Sequence, residues 1–417
     1  MKDTNSEATH SPGAPRGELR ISRPKVESSD GKAKLSAIVD VSDAQSETLY
    51  VEVDNAYRDY LCDERCDAFL VGILRYAMAN GYDIKCDAPV GEDLLYNLTR
   101  YLIPSLAKYG EGLHATQIHA VPDPSELSNF GAVGTGASLG IDSLYSIINH
   151  LNSGFKYHDL THLVLNNVGA YDPVRGVGQF DWKLNNAKRF ADEIGLPLIE
   201  VNSNIADILS GWNCYYFNLT HSYCNAFAVL ALQKFFKIYY YSSCGHDFSY
   251  FSLFHINDHD SSDYDLLSLP CFSSQHLRFY PDGGAQSRVE KTRDVVSFPL
   301  SRNFLHVCTD DRGPNCGQCS KCKRTLVTLD ALDALYDFSK VFNVDYYKAH
   351  RSEYIQWLLM NELRHGRNTF TGEAYDILKQ RGDITLHNSV VAWIRVVLSK
   401  VHPKYVIIPR LKRFFRL

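Results

Sequence analysis

The sequence contains no uninterrupted apolar stretch of the roughly eighteen residues that a membrane-spanning helix requires. Its opening residues do not follow the charged, apolar, small-residue order of a secretory signal peptide. We therefore expect a cytoplasmic protein without a transmembrane segment.

An excess of positive charge is also missing, because 43 Lys and Arg residues stand against 48 Asp and Glu residues, a formal net charge of −5. We therefore expect no bulk binding of nucleic acid, and any contact with a polyanion would have to be local. The cysteine count of 11 is odd, and a reducing compartment disfavours disulfides. A cluster of cysteines in this chain is therefore interpreted as a metal site.

Hydrophobic residues make up 45% of the 417 positions, which is enough for a large core, and their distribution divides the chain into four regions. Residues 1–33 are rich in Ser, Pro, Gly, Lys and Glu and are predicted to be a flexible leader. We predict an N-terminal α+β extension at 34–128, the main domain at 129–325 and a helical extension at 326–417. The basic stretch 400–417 is typical of a solvated terminal helix, and also of a segment that binds a membrane or an acidic partner.

The main domain alternates helical segments with short apolar segments, which is the pattern of βαβ units and of a parallel sheet covered on both faces. The sequence therefore predicts an α/β fold. We predict strands at 161–168, 197–201 and 237–241, and helices at 144–151, 182–194 and 222–235.

Four cysteines, Cys308, Cys316, Cys319 and Cys322, occur in the run HVCTDDRGPNCGQCSKCKRT. Thiolates two residues apart can bind one Zn²⁺ from a tight turn, and a fourth thiolate from a short loop closes a tetrahedral site with no open position for water. Unrelated buried thiols and an iron–sulfur cluster are the alternative interpretations. We expect structural zinc, which would fasten this loop to the sheet without taking part in catalysis.

The run GAVGTGASLGIDS, residues 131–143, is rich in glycine and lies between a predicted strand and a predicted helix. Small residues in such a turn let backbone N–H groups approach a phosphate, and the helix N-terminus adds partial positive charge. No Gly-Lys-Ser/Thr follows, so the turn is not a Walker A loop, and Leu139 stands where a dinucleotide fingerprint has its third glycine. An ordinary strand-to-helix turn is the alternative.

Within this run, the hexapeptide SLGIDS at 138–143 resembles the Ser-Gly-Gly-x-Asp-Ser loop of the PP-loop ATP pyrophosphatases. The cysteine run resembles the knuckle of one branch of that superfamily, the 7-cyano-7-deazaguanine synthases. Together the two motifs cover residues 131–325, and their order within one α/β domain is more specific than either motif alone. The resemblance implies a PP-loop type of parallel sheet that carries a Cys₄ zinc knuckle.

The resemblance also implies which residues bind ATP. Leu139 replaces the family's first glycine, which puts one close backbone approach to phosphate in question. Adenine would lie near the strand at 163–167, and Mg²⁺ would accompany the phosphates. The pyrophosphate end of ATP would be held by Ser138, Gly140, Ile141, Asp142 and Ser143.

The run SRVEKTRDV resembles the family's later Lys-x-Glu segment, with Arg288 in place of its lysine. Arg288 and Lys291 are therefore the candidate catalytic residues, expected to stabilise negative charge that develops on the phosphates. For both, and for His221, ordinary surface or helix-end positions are the alternative. The segment THSYCNAFAVLAL has Tyr223 and Cys224 where the synthases have Arg-Asn, so recognition of the usual substrate is in question.

The function implied by the resemblance is an ATP-dependent ligase that forms AMP and pyrophosphate and activates a 7-deazaguanine type of carboxylate for amide or nitrile formation. Its partners would be a small-molecule carboxylate and an amine donor or protein acceptor, and a homodimer is one expected assembly. A tRNA-modifying sulfurtransferase is the second interpretation, with Cys244 or Cys271 as the reactive thiol. A degenerate, non-catalytic ATP-binding scaffold is the third, and Leu139 is its best sequence indication.

Overall fold

The structure is a computed structural model that describes residues 17–42, 45–169, 178–214, 216–242, 260–309, 313–366 and 370–401. The strands in these ranges are β1 (Gly17–Ile21), β2 (Lys25–Ser29), β3 (Lys32–Val41), β4 (Glu47–Asp54), β5 (Tyr82–Cys86), β6 (Val90–Gly91), β7 (Ile118–His119), β8 (Pro122–Asp123), β9 (Ala132–Gly136), β10 (His162–Asn167), β11 (Leu198–Ser203), β12 (Phe236–Ser242) and β13 (Arg278–Asp282).

The α-helices of the described ranges are α1 (Asp67–Asn80), α2 (Glu92–Asn97), α3 (Ile103–Tyr109), α4 (Ile141–Leu151), α5 (Gly178–Ile194), α6 (Ile205–Gly211), α7 (Phe217–Ala231), α8 (Asp265–Cys271), α9 (Arg288–Ser297), α10 (Ser301–Phe304), α11 (Ser320–Ala331), α12 (Val344–Ala349), α13 (Arg351–His365), α14 (Gly372–Gln380) and α15 (Leu386–Val401). Short 3₁₀ helices span Asn55–Tyr60, Ser261–Tyr264 and Leu335–Phe338, and a π-helical turn spans Leu98–Leu102.

Eleven of the described strands form one sheet, in the order β13-β12-β9-β10-β11-β4-β3-β1-β5-β7, with β2 paired to β3. The five strands from β13 to β11 are parallel to one another. The chain fills them from the centre, first β9, β10 and β11 on one side and then β12 and β13 on the other. In sheets wound in this way, ligands bind at the carboxyl ends of the strands where the winding reverses, here between β9 and β12. The predicted α/β class is confirmed.

Helices cover both faces of this parallel half. Alternate residues of β12 divide the core, with Tyr239 and Tyr241 in the cluster under α1 and α7, and Ile238 and Tyr240 in the cluster under α4 and α5. The predicted helices and strands of the main domain are all present. The seventh helix alone is displaced, because it begins at Phe217 and ends at Ala231, whereas the sequence predicted 222–235.

The N-terminal strands belong to the same sheet, because β4 pairs antiparallel with β11, for example Asn202 opposite Glu52. The prediction of a flexible leader up to residue 33 is wrong from residue 17 onward. Strand β1 lies between β3 and β5 and buries Leu19 and Ile21 completely. Because neighbouring strands pair with β1 on both sides, two apolar side chains on one face are enough to hold it in the sheet. The polar composition of the segment concealed this pattern in the sequence. Residues 1–16 lie outside the described residues.

The segment after the sheet is helical, as predicted. Helix α11 continues the cysteine run, and α13, α14 and α15 pack with it around Ile355, Leu358 and Leu378. This arrangement places the start of α11 beside the carboxyl edge of the sheet. The basic residues from 402 to 417 lie outside the described residues, so their role stays a prediction.

Candidate functional site

The glycine-rich turn lies where the winding of the sheet reverses. Strand β9 ends at Gly136, and α4 begins at Ile141 with Gly140 as its N-cap, which makes no side-chain capping hydrogen bond. The first N–H groups of a helix have no partner within the helix, so this end of α4 can accept a negatively charged ligand. The structure therefore places all the predicted ATP-binding residues at one point of the carboxyl edge.

Two serine hydroxyls brace this turn. Ser138 Oγ donates to Ser143 Oγ at 3.1 Å, and Ser143 Oγ donates to the Gly140 carbonyl oxygen at 3.3 Å. Ile141 is 3% exposed and packs in the core, so its side chain anchors the helix and only its backbone faces the turn.

Leu139 adopts the left-handed conformation that favours glycine, with φ of 58°. This conformation costs a residue with a Cβ about 1–2 kcal/mol. The side chain is 1% exposed and belongs to the core cluster with Leu144 and Ile147, so burial offsets the strain. Leucine at this position therefore preserves the backbone course that a glycine would adopt, and it fixes the turn to the core.

A carboxylate and two buried cations meet at the first turn of α4. Arg288 Nη1 lies 3.0 Å from Asp142 Oδ2, and Lys291 Nζ lies 3.2 Å from Asp142 Oδ1. Burial opposes ionisation of Asp142, but the attraction of Arg288, Lys291 and Arg324 outweighs it and lowers the pKa of the carboxyl. We call these four residues the cation-rich cluster. Among these four residues, three cations act on one carboxylate.

The start of α9 positions two of these cations. Arg288 and Lys291 are three residues apart in α9 and so lie on one face of it. A reciprocal cap fixes the helix start, because Ser287 Oγ accepts from the Glu290 N–H and the Glu290 carboxylate accepts from the Ser287 N–H. A Cβ at Gly283 would lie 3.0 Å from Lys291 Nζ, so a glycine there leaves room for the ammonium group.

Arg324, the third cation, comes from α11 and was not singled out by the sequence. Its guanidinium lies 4.3 Å from the centroid of the Phe370 ring, and that of Arg288 lies 5.5 Å from the same ring. Phe370 thus lies against two cations at the edge of the cluster. The signal was the run KCKRT, which places Arg324 two residues after the last cysteine of the knuckle.

The four predicted metal ligands are brought together. The Sγ atoms of Cys308, Cys316, Cys319 and Cys322 all lie within 4.8 Å of one another, and the Cys308–Cys319 and Cys316–Cys322 pairs are each 4.0 Å apart. A tetrahedral zinc with Zn–S bonds of about 2.3 Å keeps its sulfurs about 3.8 Å apart, so the four residues fit such an ion. The cluster could therefore hold a metal ion.

Backbone amides surround these sulfurs. The N–H groups of Cys319 and Gln318 donate to Cys316 Sγ, that of Cys316 donates to Cys308 Sγ, and that of Cys322 donates to Cys319 Sγ, at 3.3–3.4 Å. Such hydrogen bonds stabilise thiolates and orient them toward a cation. Because all four sulfurs converge, no ligand position is left for a substrate, as expected of a structural site.

His306 joins the cysteine run to the glycine-rich turn. Its backbone N–H donates to the Leu139 carbonyl oxygen at 2.8 Å, and Cys308 follows two residues later. Its ring lies against Trp182, with centroids 4.6 Å apart, and its Nε2 is 3.1 Å from the Gly313 carbonyl oxygen. The metal ligands and the turn are therefore connected through one short, hydrogen-bonded segment.

A second polar group of residues lies at the same edge, on the α7 face of the sheet. His221 Nδ1 is 2.6 Å from Tyr241 Oη, and His221 Nε2 is 2.9 Å from Asp260 Oδ1. We call His221, Asp260, Asp263 and Asp265 the acid-rich cluster. The sequence named His221 but gave no indication of its aspartates, which follow a segment outside the described residues.

Two of the three carboxyls of this second cluster resist ionisation. Burial, with repulsion from Asp260 and Asp265, raises the pKa of Asp263 to about 7. Burial also raises the pKa of Asp265 to about 6, against the attraction of His221 and the hydrogen bond from Ser222. The pKa of Asp260 is lowered instead. Burial opposes its ionisation, but the hydrogen bond and the charge of His221, together with the hydrogen bonds from Ser262, outweigh that effect.

The fold and these clusters define an α/β protein with a mostly parallel central sheet and a four-cysteine cluster that could hold a metal ion. Comparison of the chain with protein-family models, with curated proteins and with solved structures finds no match. Among the described residues, no helix combines the length and the apolar character needed to cross a membrane. Membership of the PP-loop superfamily therefore stays a prediction.

Proposed function

We propose that this chain is an ATP-dependent ligase that activates a carboxylate of the 7-deazaguanine type and releases AMP and pyrophosphate. The observation that carries the proposal is the meeting of Asp142, Arg288 and Lys291 at the first turn of α4, where the winding of the sheet reverses. An uncapped helix start beside buried cations suits the phosphate chain of a nucleotide.

The cation-rich cluster contains a buried hydrogen-bond donor that could bind an anionic ligand. One carboxylate faces three cations, and Arg288 Nε is buried without a hydrogen-bond partner among the described residues. A buried donor without a partner costs about 1–3 kcal/mol, which an incoming phosphate oxygen would recover. Arg288 and Lys291 are therefore proposed to hold the phosphates, and Mg²⁺ is expected to arrive with ATP, with no side chain assigned to it.

The proposed reaction has two steps. A substrate carboxylate oxygen attacks the α-phosphorus of ATP, and the bond from that phosphorus to the oxygen that bridges it to the β-phosphate breaks. Pyrophosphate departs, and an acyl-adenylate is formed. An amine then attacks the acyl carbon, the bond to the AMP oxygen breaks, and the amine loses a proton. In the first step Arg288 and Lys291 would stabilise the charge that accumulates on pyrophosphate.

The acid-rich cluster offers an acceptor for the proton of the second step. If His221 donates from Nε2 to Asp260, its Nδ1 accepts from the Tyr241 hydroxyl. The hydroxyl could then take a proton from the amine while passing its own to His221, and Asp260 would stabilise the resulting imidazolium. This chain of groups lies beside β10, because Asn225 bonds both the His221 carbonyl oxygen and Asn166.

Zinc is the proposed occupant of the four-cysteine cluster, where it would hold the start of α11 and the segment before it. Four thiolates at these distances match zinc, and the run of amide hydrogen bonds is consistent with thiolate ligands. The metal would have a structural role only. It would join the segment that contacts the turn at Leu139 to the helix that carries Arg324.

Sulfur transfer is disfavoured by the described cysteines. Cys271, one of its two candidate thiols, is 6% exposed, and burial raises its pKa to about 11. A thiol of this kind is a poor nucleophile at neutral pH. Cys244, the other candidate, lies outside the described residues. A degenerate scaffold is less favoured than an enzyme because Leu139 keeps the backbone course of the turn.

The test is exchange of labelled pyrophosphate into ATP by the purified full chain with Mg²⁺ and 7-carboxy-7-deazaguanine. We expect exchange that depends on the carboxylate and falls by about 10²–10³-fold in Lys291→Ala, which removes one stabilising cation. Arg293→Gln is the matched control, because Arg293 is an exposed cation on the same helix. ATP binding without exchange, with any carboxylate of this type, would favour the scaffold instead.

A further inference from the structure

A cleft of about 320 Å³ opens at the amino edge of the sheet, opposite the glycine-rich turn. It lies between the starts of β12 and β13 and the loop that follows α4. Helix α4 has eleven residues, about 16 Å, and runs from the candidate nucleotide site toward this cleft. The cleft is therefore a separate site, and its ligand is inferred independently of the proposed ligase activity.

The charge of this cleft is opposite to that of the chain as a whole. Lys237 and Arg278 line it, and none of its described lining residues carries a carboxylate, although the chain has a net charge of −5. The carboxylates near this lining lie outside it: Asp159 accepts from Ser153, Asp282 pairs with His150, and the charges of Asp123 and Glu126 act on His276. Because the lining itself carries two exposed cations, Lys237 and Arg278, and no carboxylate, it favours an anionic ligand.

Aromatic rings complete the lining. Tyr157 is 80% exposed at the mouth of the cleft, and Phe155, 71% exposed, lies two residues before it. Tyr280 lines the inner wall, where its hydroxyl accepts from Arg278 Nη1 at 3.4 Å and its ring lies beside that of Tyr240. Exposed tyrosines next to cations are the combination that proteins use to stack a base and hold its phosphate.

The cleft is built from fixed elements. Ile238 and Arg278 are partners in the parallel pairing of β12 with β13, so the backbone position of Arg278 relative to the wall is set by the sheet. His276, also in the lining, is held by the Leu127 N–H, which donates to its Nε2 at 3.0 Å. A volume of about 320 Å³ is at the lower end of the range for small-molecule sites.

We propose that this cleft binds a nucleotide unit, with the phosphate between Lys237 and Arg278 and the base stacked on Tyr157. The unit could be a free mononucleotide or one nucleotide of a single strand, because both present the same chemistry. The proposed contact is confined to this cleft, which agrees with the lack of a net positive charge on the chain as a whole. It would give the chain a second nucleotide site, on the edge of the sheet opposite the first.

The test is fluorescence anisotropy of a labelled eight-nucleotide oligo(dT) with the full chain at several salt concentrations. Thymine nucleotides are chosen so that an adenine site contributes little, and Lys291→Ala should bind them as the wild type does. Two cations predict a slope of about −1.4 for log K against log salt, and one cation about −0.7. We expect the slope to change from about −1.4 in the wild type to about −0.7 in Lys237→Gln and in Arg278→Gln.

Variants at exposed positions separate this proposal from a folding defect. Tyr157→Ala should weaken binding about tenfold, because one stacked base is lost. Lys340→Gln, at an exposed cation outside the cleft, should have no effect. An unchanged dissociation constant in Lys237→Gln/Arg278→Gln would overturn the proposal.

Competition identifies the source of the nucleotide. Displacement of the oligonucleotide by thymidine monophosphate supports the proposal and shows that a free nucleotide suffices. Displacement by unlabelled oligo(dT) alone also supports it and points to a strand. Displacement by inorganic phosphate at the same concentration as thymidine monophosphate would overturn it, because no base would then be recognised.

Discussion

The cation-rich and acid-rich clusters lie at the same edge of one sheet, and their carboxyls behave in opposite ways. Asp142 is partly buried, yet its pKa is lowered because three cations surround it. Asp263 and Asp265 are buried beside other acids, and their pKa values are raised to about 7 and about 6. Burial penalises the charge in both places, so the neighbours decide the outcome.

This difference assigns the two clusters to different tasks. A site that keeps excess positive charge is suited to binding phosphate, whereas a site with carboxyls that titrate near neutral pH is suited to moving protons. If the comparison is correct, the same kind of substitution should have opposite consequences on the two sides. Replacing a carboxylate by an amide should cost stability in the cation-rich cluster and relieve repulsion in the acid-rich cluster.

Removal of the metal should disturb the cation-rich side first. The charge of Arg324 acts on Asp142 from α11, whose N-cap is Cys319 and whose first turn carries Cys322. We expect one bound zinc per chain, and a fall of several kcal/mol in the unfolding free energy after chelation, since structural zinc contributes that much or more. Elemental analysis and calorimetry measure both quantities.

Two cysteine variants control this prediction. Cys322→Ser should lose the zinc and lower the melting temperature as chelation does. Cys214→Ser, at a cysteine outside the cluster, should retain the metal. A chain that carries no metal, or that melts at the same temperature with and without it, contradicts a structural zinc.

Asp142→Asn should destabilise the fold by about 3 kcal/mol, because it leaves Arg288 and Lys291 buried without a carboxylate. Pyrophosphate should restore part of the loss by supplying the missing negative charge. Urea unfolding with and without pyrophosphate measures the effect. Asp337→Asn, which breaks an exposed ion pair with Arg302, should cost less than about 1 kcal/mol. Equal losses in the two variants would show that the cluster is not electrostatically special.

On the acid-rich side, His221→Gln should slow amide formation about a hundredfold and leave pyrophosphate exchange intact, because only the second step releases a proton to this group. The two rates are measured separately, with hydroxylamine as the amine. Loss of both steps to the same extent would instead indicate that His221 has a structural role.

Asp263→Asn should change how stability depends on pH. With a pKa raised to about 7, the folded chain holds a proton that the unfolded chain releases near its ordinary pKa of 3.8. The stability that Asp263 contributes through this bound proton is therefore fully present below about pH 4 and is lost as the pH rises to about 7. Relative to wild type, the variant should gain stability across that window.

Urea unfolding of both proteins at pH 5 and pH 8 measures this difference. The comparison is made at equal pH, so the metal site and Asp142 affect both proteins alike. A difference that stays constant, or that grows toward acid, would show that Asp263 is not protonated in the folded chain near neutral pH.

The site residues that could be predicted are those marked by short local patterns in the sequence. Short runs of sequence were enough to single out the four cysteines, the glycine-rich turn and the pair Arg288 and Lys291. The structure brings the cysteines together in one cluster and brings Arg288 and Lys291 to the glycine-rich turn. Arg324 could not be assigned in this way, because its position relative to Asp142 depends on how α11 packs against α9 and α14, which no short run encodes. The aspartates near residue 260 were missed for the same reason.

Two further differences between the sequence prediction and the structure concern residues 17–33 and Leu139. The polar composition of residues 17–33 suggested a leader, but strand pairing on both sides of β1 needs only two buried side chains, Leu19 and Ile21. Leu139 suggested a defective loop, but the structure shows that leucine takes the left-handed conformation and anchors the turn in the core. In both cases tertiary contacts outweigh a local preference.

The backbone hydrogen bond from His306 to Leu139 has a thermodynamic consequence. If metal capture orders the segment that ends in Cys308, it also restricts the turn that would receive a triphosphate. Two ligands that favour the same conformation must help one another, and the help is equal in both directions. Saturating nucleotide should therefore raise the equilibrium affinity for the metal, measured by competition with a chelator, by the same factor by which the metal raises the affinity for the nucleotide.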